Sequence, residues 1–299
     1  MERSGALREG QIGGSEPVAT HEIRGGGGLR LHAREWGNAE GPALLFVHGL
    51  SQSDLCWAKQ VRGDLAAGHR IVTFDIRGHG LSEKPAGAEH YANGQLWADD
   101  LAAVIEQTEL ERPVVVGWSY GGYIITDFVR AYGDSALGGI NLVGAAVMLK
   151  PPGFVHLGPG LLENAQGMCA FDLAANVASI SRFLRSCTAR PLDEDEWVTA
   201  LCWNMAVPPE VRGALIAREI DGDDALSNLS VPVLVTHGRD DAIVLPSMAE
   251  HTVAVCETAV ASWYDGVGHM PFWESAERFD RELGAFARRA IDDARAATG

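Results

Sequence analysis

Cysteine, basic charge and long apolar runs are the scarce features of this 299-residue sequence. The five cysteines, Cys56, Cys169, Cys187, Cys202 and Cys256, are scattered and show no C-x-x-C spacing. That pattern suggests neither a disulfide framework nor a zinc site and fits a reducing compartment. Lys plus Arg number 24 against 40 Asp plus Glu, a net charge of −16, which disfavours nucleic acid and anionic membrane surfaces as partners. No apolar run approaches the ~20 residues a membrane span needs. Residues 1–17, "MERSGALREGQIGGSEP", lack the apolar core of a secretion signal and read as a loose leader. The expectation is a cytoplasmic protein with a small-molecule partner and an unspecified oligomeric state.

What is present is a large apolar fraction, 46% of the residues, in an alternating order of strand-like and helix-like segments. His21–Arg24 and Leu29–Trp36 flank four glycines as a hairpin would. Pro42–Val47 and Ile71–Phe74 are buried-strand runs with a helix expected between them over Ser53–Ala67. A helix is expected from Gly94, with Trp97, Leu101, Val104 and Ile105 on its apolar side. Val114–Val116 and Ile140–Leu149 are again strand-like, as are Val231–His237 and Ala259–Tyr264. Helices are expected near Ser247–Cys256 and in the last segment, through Phe279, Leu283, Phe286 and Ala290. Such alternation implies an α/β fold with a mostly parallel twisted sheet and helices on both faces. Residues 18–149 and 229–299 form the expected core. Residues 150–228, helix-rich and without a convincing strand, are expected to be a helical lid inserted over the site.

The chemistry centres on "PVVVGWSYGG", residues 113–122, where a β-branched run meets Gly117-Trp118-Ser119-Tyr120-Gly121 and then a helix. Strand, sharp turn and helix with G-x-S-x-G form a nucleophile elbow. A serine hydroxyl needs a base to accept its proton and a third group to orient that base. His269, in "GVGHMPFWES" after the last strand, suits the base. The loop "THGRDDAIVLP" offers Asp240 and Asp241 for the acid. His48 and His79 sit in turns before the nucleophile, where structural hydrogen bonding is the simpler role. Asp75 and Arg77 read as a loop-stabilising pair, and Trp118 as packing beneath the elbow.

His48-Gly49, Asp75-x-Arg77-Gly78-His79-Gly80-x-Ser82, Gly117-x-Ser119-x-Gly121-Gly122, His237-Gly238-x-x-Asp241 and Gly266-x-Gly268-His269-x-Pro271 together resemble the α/β-hydrolase superfamily, in its serine-nucleophile branch of esterases and cofactor-free haloperoxidase-like enzymes. The resemblance implies Ser119 as nucleophile, His269 as general base and acid, and Asp241 as the orienting carboxylate, with Asp240 the competitor. It places the oxyanion hole at the backbone N–H groups of Leu50 and Tyr120. No metal or organic cofactor is implied.

The implied activity is hydrolysis of a small or medium, mainly apolar carboxylic ester, or a lactone, through an acyl-enzyme. Perhydrolysis and carbon–carbon bond hydrolysis on the same triad are alternatives, as is a non-catalytic ligand receptor with this fold. Haloalkane dehalogenases and epoxide hydrolases carry aspartate where Ser119 stands, and residues 150–228 contain no tyrosine of the kind epoxide hydrolases use. Candidates for the substrate pocket are Trp57, Phe154, His156, Trp203 and Met205, with Tyr120 also placed to line it. Met168 and Phe171 are expected in the insertion's own small core.

Overall fold

The computed structural model describes residues 16–151 and 153–298, with side chains of the last helix described to residue 291. Residues 1–15 of the expected leader therefore lie outside the described residues. In chain order the strands are β1 (Ala19–Arg24), β2 (Arg30–Gly37), β3 (Ala43–Val47), β4 (Arg70–Asp75), β5 (Val114–Trp118), β6 (Gly139–Val143), the two-residue β7 (Met148–Leu149) and β8 (Ile220–Asp221), β9 (Val233–Gly238) and β10 (Ala259–Tyr264). Eight of them make one sheet in the order β1-β2-β4-β3-β5-β6-β9-β10. Only β2 runs against the rest, pairing antiparallel with both β1 and β4. Every residue of β3, β5 and β6 is buried, so these strands are continuous apolar runs, as strands covered on both faces must be.

Helices cover both faces. Gly94–Gln107, Gly121–Tyr132, Asp223–Ser227 and Pro246–Val255 form one packed group, and Ala58–Arg62, Asp64–Gly68, Pro271–Glu274 and Ala276–Thr298 the other. The last helix buries Phe279, Leu283, Phe286, Ala287 and Ala290, three or four residues apart as an amphipathic helix requires. Because β4 lies on one side of β3 and β5 on the other, the chain direction across the sheet reverses there. A crevice opens at the C-terminal ends of β3 and β5, the position where open α/β sheets hold their sites.

Three expectations need correction. The segment Ser53–Ala67 is not one helix: a 3-10 turn at Asp54–Trp57 precedes Ala58–Arg62, and the extended backbone of Gly63 separates that from Asp64–Gly68. Ile140–Leu149 is not one strand, because Gly144 takes φ +46° and turns the chain out of β6. Met148–Leu149 then pairs antiparallel with Ile220–Asp221, so the insertion contains a short strand after all. Apolar content alone cannot distinguish one long strand from a strand, a turn and a bridge.

Candidate active site

Ser119 follows β5 directly and holds φ +54°, one of four described non-glycine residues with positive φ. Three backbone hydrogen bonds fix it there. Its N–H donates to the Val143 carbonyl at 3.0 Å, and its carbonyl accepts from Gly122 at 3.0 Å and Ala146 at 3.1 Å. The glycines on either side have no room for a side chain. A Cβ on Gly117 would stand 2.5 Å from Ile125 Cδ1, and one on Gly121 2.6 Å from the Val47 carbonyl oxygen. Such a turn keeps a strained backbone only because its surroundings over-determine it. The helix Gly121–Tyr132 starts two residues later and directs its positive end at the serine.

β9 and β10 bring the second pair of groups. His269 Nδ1 donates to Asp241 Oδ2 at 2.7 Å, and both residues are buried. Asp241 Oδ1 accepts from the N–H groups of Ile243 at 2.8 Å and Val244 at 3.0 Å. With Nδ1 donating to the carboxylate, Nε2 is the nitrogen left to accept, and among the described residues it has no hydrogen-bond partner. Asp241 is thus the carboxylate in contact with His269, whereas Asp240 is exposed. His237 also approaches Asp241 Oδ2, at 3.4 Å, but its Nε2 faces the Val244 carbonyl at 2.9 Å and burial lowers its pKa.

The elbow and the histidine loop are joined by side chains whose part the sequence concealed. Trp118 packs beneath the elbow, and its indole N–H donates to the His269 carbonyl at 2.9 Å. Glu274 collects the N–H groups of Gly268, Ala189 and Arg190, tying the histidine loop to the insertion. A Cβ on Gly144 would lie 3.0 Å from His269 Nδ1 and 3.3 Å from Asp241 Oδ2. The only trace of this glycine in the sequence is its position as a breaker inside an apolar run.

On the other side of Ser119 stands the turn after β3. Register pairs Val47 with Gly117, so Gly49 falls opposite Ser119, and a Cβ on Gly49 would be 2.9 Å from the serine Cβ. Among the described residues no acceptor takes the N–H of Leu50 or of Tyr120, and both residues line the cavity that Ser119 enters. His48 and His79 brace this turn. His48 Nε2 accepts from the Ile76 N–H at 3.1 Å and His79 Nε2 from the Ser51 N–H at 3.0 Å. Burial lowers both pKa values, that of His79 strongly, which keeps the rings neutral. Asp75 and Arg77 do not pair with each other. Asp75 accepts from the Asp54 and Leu81 N–H groups, and Arg77 makes a two-pronged pair with Asp100 at 2.6 and 2.8 Å. The Tyr120 hydroxyl, pushed up to about 12 by burial against the pull of Arg218, accepts from that arginine at 3.1 Å.

The cavity above Ser119 measures about 270 Å³. Leu50, Tyr120, Tyr123 and Ala146 line it from the sheet side, with Ile243 and Val244 from the loop after β9. Leu149, Phe154, Leu157, Leu161, Leu162, Ala165, Phe183 and Ile216 complete it. Of the five pocket candidates only Phe154 is there. Trp57 is wholly buried between Phe46, Trp118 and Phe272. His156 faces Ser247, its Nδ1 2.9 Å from that hydroxyl. Trp203 donates its indole N–H to Gln52 Oε1 at 2.8 Å, and Met205 packs against the core. Met168 is buried, while Phe171 is exposed outside the insertion's core.

Comparison with known proteins agrees with this architecture. The sequence matches the Alpha/beta hydrolase family over residues 44–282. It is 28% identical over 282 residues, 87% of this chain and 97% of the relative, to a bifunctional esterase/perhydrolase of Acinetobacter calcoaceticus. It is likewise 28% identical over 276 residues, 87% and 96% of the two chains, to a non-heme haloperoxidase of Rhodococcus erythropolis. The crystal structure of an esterase from Rhodococcus sp. ECU1013 shares the fold with a TM-score of 0.85 and 33% identity, covering 90% of this chain and 98% of that one. A family match spanning most of the sheet, added to serine, histidine and carboxylate at its strand ends, makes this chain an enzyme of the alpha/beta hydrolase family.

Proposed function

We propose that the chain is a serine hydrolase that cleaves small or medium, mainly apolar carboxylic esters through an acyl-enzyme, with residues 150–228 serving as a lid. Relatives named esterase and haloperoxidase support an esterase type of activity. The observation that carries the finer reading is the His269 ring, oriented by Asp241 at 2.7 Å and left with an unpartnered Nε2. In that role Nε2 takes the Ser119 hydroxyl proton as Oγ attacks the ester carbonyl carbon. The oxyanion of the tetrahedral intermediate accepts from the Leu50 and Tyr120 N–H groups, which have no protein acceptor of their own among the described residues. Collapse breaks the acyl–oxygen bond, and the alcohol leaves with the proton held on Nε2. A water molecule then attacks the acyl carbon as His269 Nε2 accepts its proton, and collapse breaks the bond from that carbon to Ser119 Oγ, which regains the proton from Nε2 as the carboxylic acid leaves.

The cavity supports the substrate class. Its described lining is apolar apart from Ser119 and the two tyrosine hydroxyls, and no Lys or Arg is among it. A carboxylate-bearing product of ring cleavage would find no cation there, which weighs against the carbon–carbon reading. Hydrogen peroxide in place of the deacylating water would give a peracid, and the relative named esterase/perhydrolase favours that as a second activity.

The test is a panel of p-nitrophenyl esters of graded acyl length, with lactones, run on wild type and Ser119→Ala, together with fluorophosphonate labelling. Turnover and labelling in wild type and neither in Ser119→Ala is the expected result. No turnover and no labelling of wild type, with an apolar ligand still bound, would leave the receptor reading in its place.

A further inference from the structure

Arg212, on the insertion helix Pro209–Ile216, is wholly buried and makes no ion pair with a carboxylate among the described residues, Glu210 acting on it only through space. All of its described hydrogen bonds go to neutral acceptors. Nη1 donates to the Met168 carbonyl at 2.6 Å and to Asn176 Oδ1 at 3.2 Å, Nη2 to the Asn204 carbonyl at 3.0 Å, and Nε to Ser51 Oγ at 3.0 Å. Burial lowers its pKa to about 10, so the guanidinium is still charged at neutral pH. Burying an unpaired charge is unfavourable, and an apolar side chain of similar size would fill the same space without that penalty. Arg218, six positions on, makes the contrast: its charge is met by Asp127 at 2.6 Å.

Three of the four acceptor residues, Met168, Asn176 and Asn204, belong to the insertion, and the fourth belongs to the sheet side. Ser51 is the residue after Leu50, and it sits at φ +64°, a backbone state that serine does not favour unaided. It is held from two sides. His79 takes its N–H from below, while above it Oγ accepts from Arg212 and donates to the Asn204 carbonyl at 3.4 Å. That carbonyl also accepts from Arg212, closing a ring of three residues.

We propose that Arg212 is a positioning residue for the reaction: it reaches from the insertion to hold Ser51, and through Ser51 it fixes the direction of the Leu50 N–H. The inference rests on the serine-hydrolase reading, in which that N–H stabilises the oxyanion. Loss of the tether frees the peptide from its left-handed turn and turns the donor away from the oxyanion, so it weakens transition-state binding more than substrate binding. The same helix supplies Ile216 to the pocket wall, so acyl recognition and oxyanion stabilisation share one support.

The experiment compares Arg212→Met, Arg212→Lys, Ser51→Ala and the Arg212→Met/Ser51→Ala double variant on p-nitrophenyl acetate. Concentrations are set by active-site titration, and each Tm is measured. Removing an oxyanion donor outright costs about 10²–10³ in kcat, so a misdirected one in Arg212→Met is expected to cost ~10–100-fold, with KM within about threefold of wild type. Arg212→Lys should recover part of the loss. Ser51→Ala, which leaves the backbone requirement as it is, should lower kcat ~3–10-fold and add little in the Arg212→Met background, because both remove one tether. Unchanged kcat per titrated site in Arg212→Met overturns the proposal, as do losses that simply multiply in the double variant. Should Arg212→Met fail to fold, Ser51→Ala decides, and wild-type kcat in it overturns the proposal. Absence of turnover in wild type overturns both this inference and the hydrolase reading; turnover in wild type with an unaffected Arg212→Met overturns this inference alone.

Discussion

The two halves of the site are built by different means. Below the cavity, the turns after β3, β5, β9 and β10 hold Leu50, Ser119, Asp241 and His269 with backbone hydrogen bonds, those after β3, β5 and β10 also with positive-φ residues, and several positions there have no room for even one added carbon. Above it, the segments between Leu149 and Ile216 offer aliphatic and aromatic side chains that meet the cavity without hydrogen bonds. The lower half specifies atoms and the upper half only a volume. Substitutions should therefore act on rate in the first and, where they alter a side chain that lines the cavity, on choice of acyl group in the second; Arg212, which reaches down to Ser51 and does not line the cavity, goes with the first.

The largest effect tests the lower half directly. Ser119→Ala and His269→Ala are each expected to reduce kcat by about 10⁴–10⁶, and the double variant by little more, because residues that act as a unit are not additive. Steady-state kinetics on one activated ester checks this, and a product of the two losses would mean that they act separately. Next comes the orienting acid. Asp241→Asn should lower kcat by ~10²–10⁴ through the wrong ring tautomer, while Asp240→Asn, exposed and away from the ring, should stay within about twofold.

A smaller loss, ~10–100-fold in kcat, is expected for Gly144→Ala, whose Cβ would press on both His269 and Asp241 from a left-handed backbone. Its acyl-length profile should keep the wild-type shape. A changed profile would blur the division between the halves.

In the upper half, Ala165→Leu should leave acetyl ester turnover within about twofold and lower kcat/KM for hexanoyl or longer esters ~10-fold, since one to two buried methylenes are worth ~1–3 kcal/mol. Equal losses on all chain lengths would show that Ala165 does not shape acyl selectivity. The smallest effect belongs to His156→Gln, expected to leave both rate and profile within about twofold, because the ring faces Ser247 rather than the cavity.

The same division explains what could be read in the sequence. Ser119, Asp241, His269 and the loop glycines stand in fixed short motifs, because a reacting atom needs a particular residue at a particular strand end. The strands themselves were legible as apolar runs between breakers, to within a residue or two at β3, β4, β5 and β10. Trp57, His156, Trp203 and Met205 were drawn to the pocket by residue type alone. Their actual places depend on which way the helix and the 3-10 turns that carry them face, and no local pattern records that. Leu149, Leu161, Ala165 and Ile216 line the cavity but are indistinguishable in sequence from core residues. Arg212 was equally silent, since its partners lie on other segments: Ser51 is far away in the chain, and the remaining three are spread over the insertion.

The sheet order has one more consequence, for folding. Leu50 and Ser119 follow the neighbouring strands β3 and β5, Asp241 and His269 follow the neighbouring strands β9 and β10, and the two pairs are joined through the β6–β9 contact, whose strands lie far apart in the sequence. A fragment that stops before β10 lacks His269 and so the complete site, and the long segment closed between β6 and β9 makes that pairing slow. Regain of esterase activity during refolding would then lag behind the return of helical signal, and it would report that the last strand has docked.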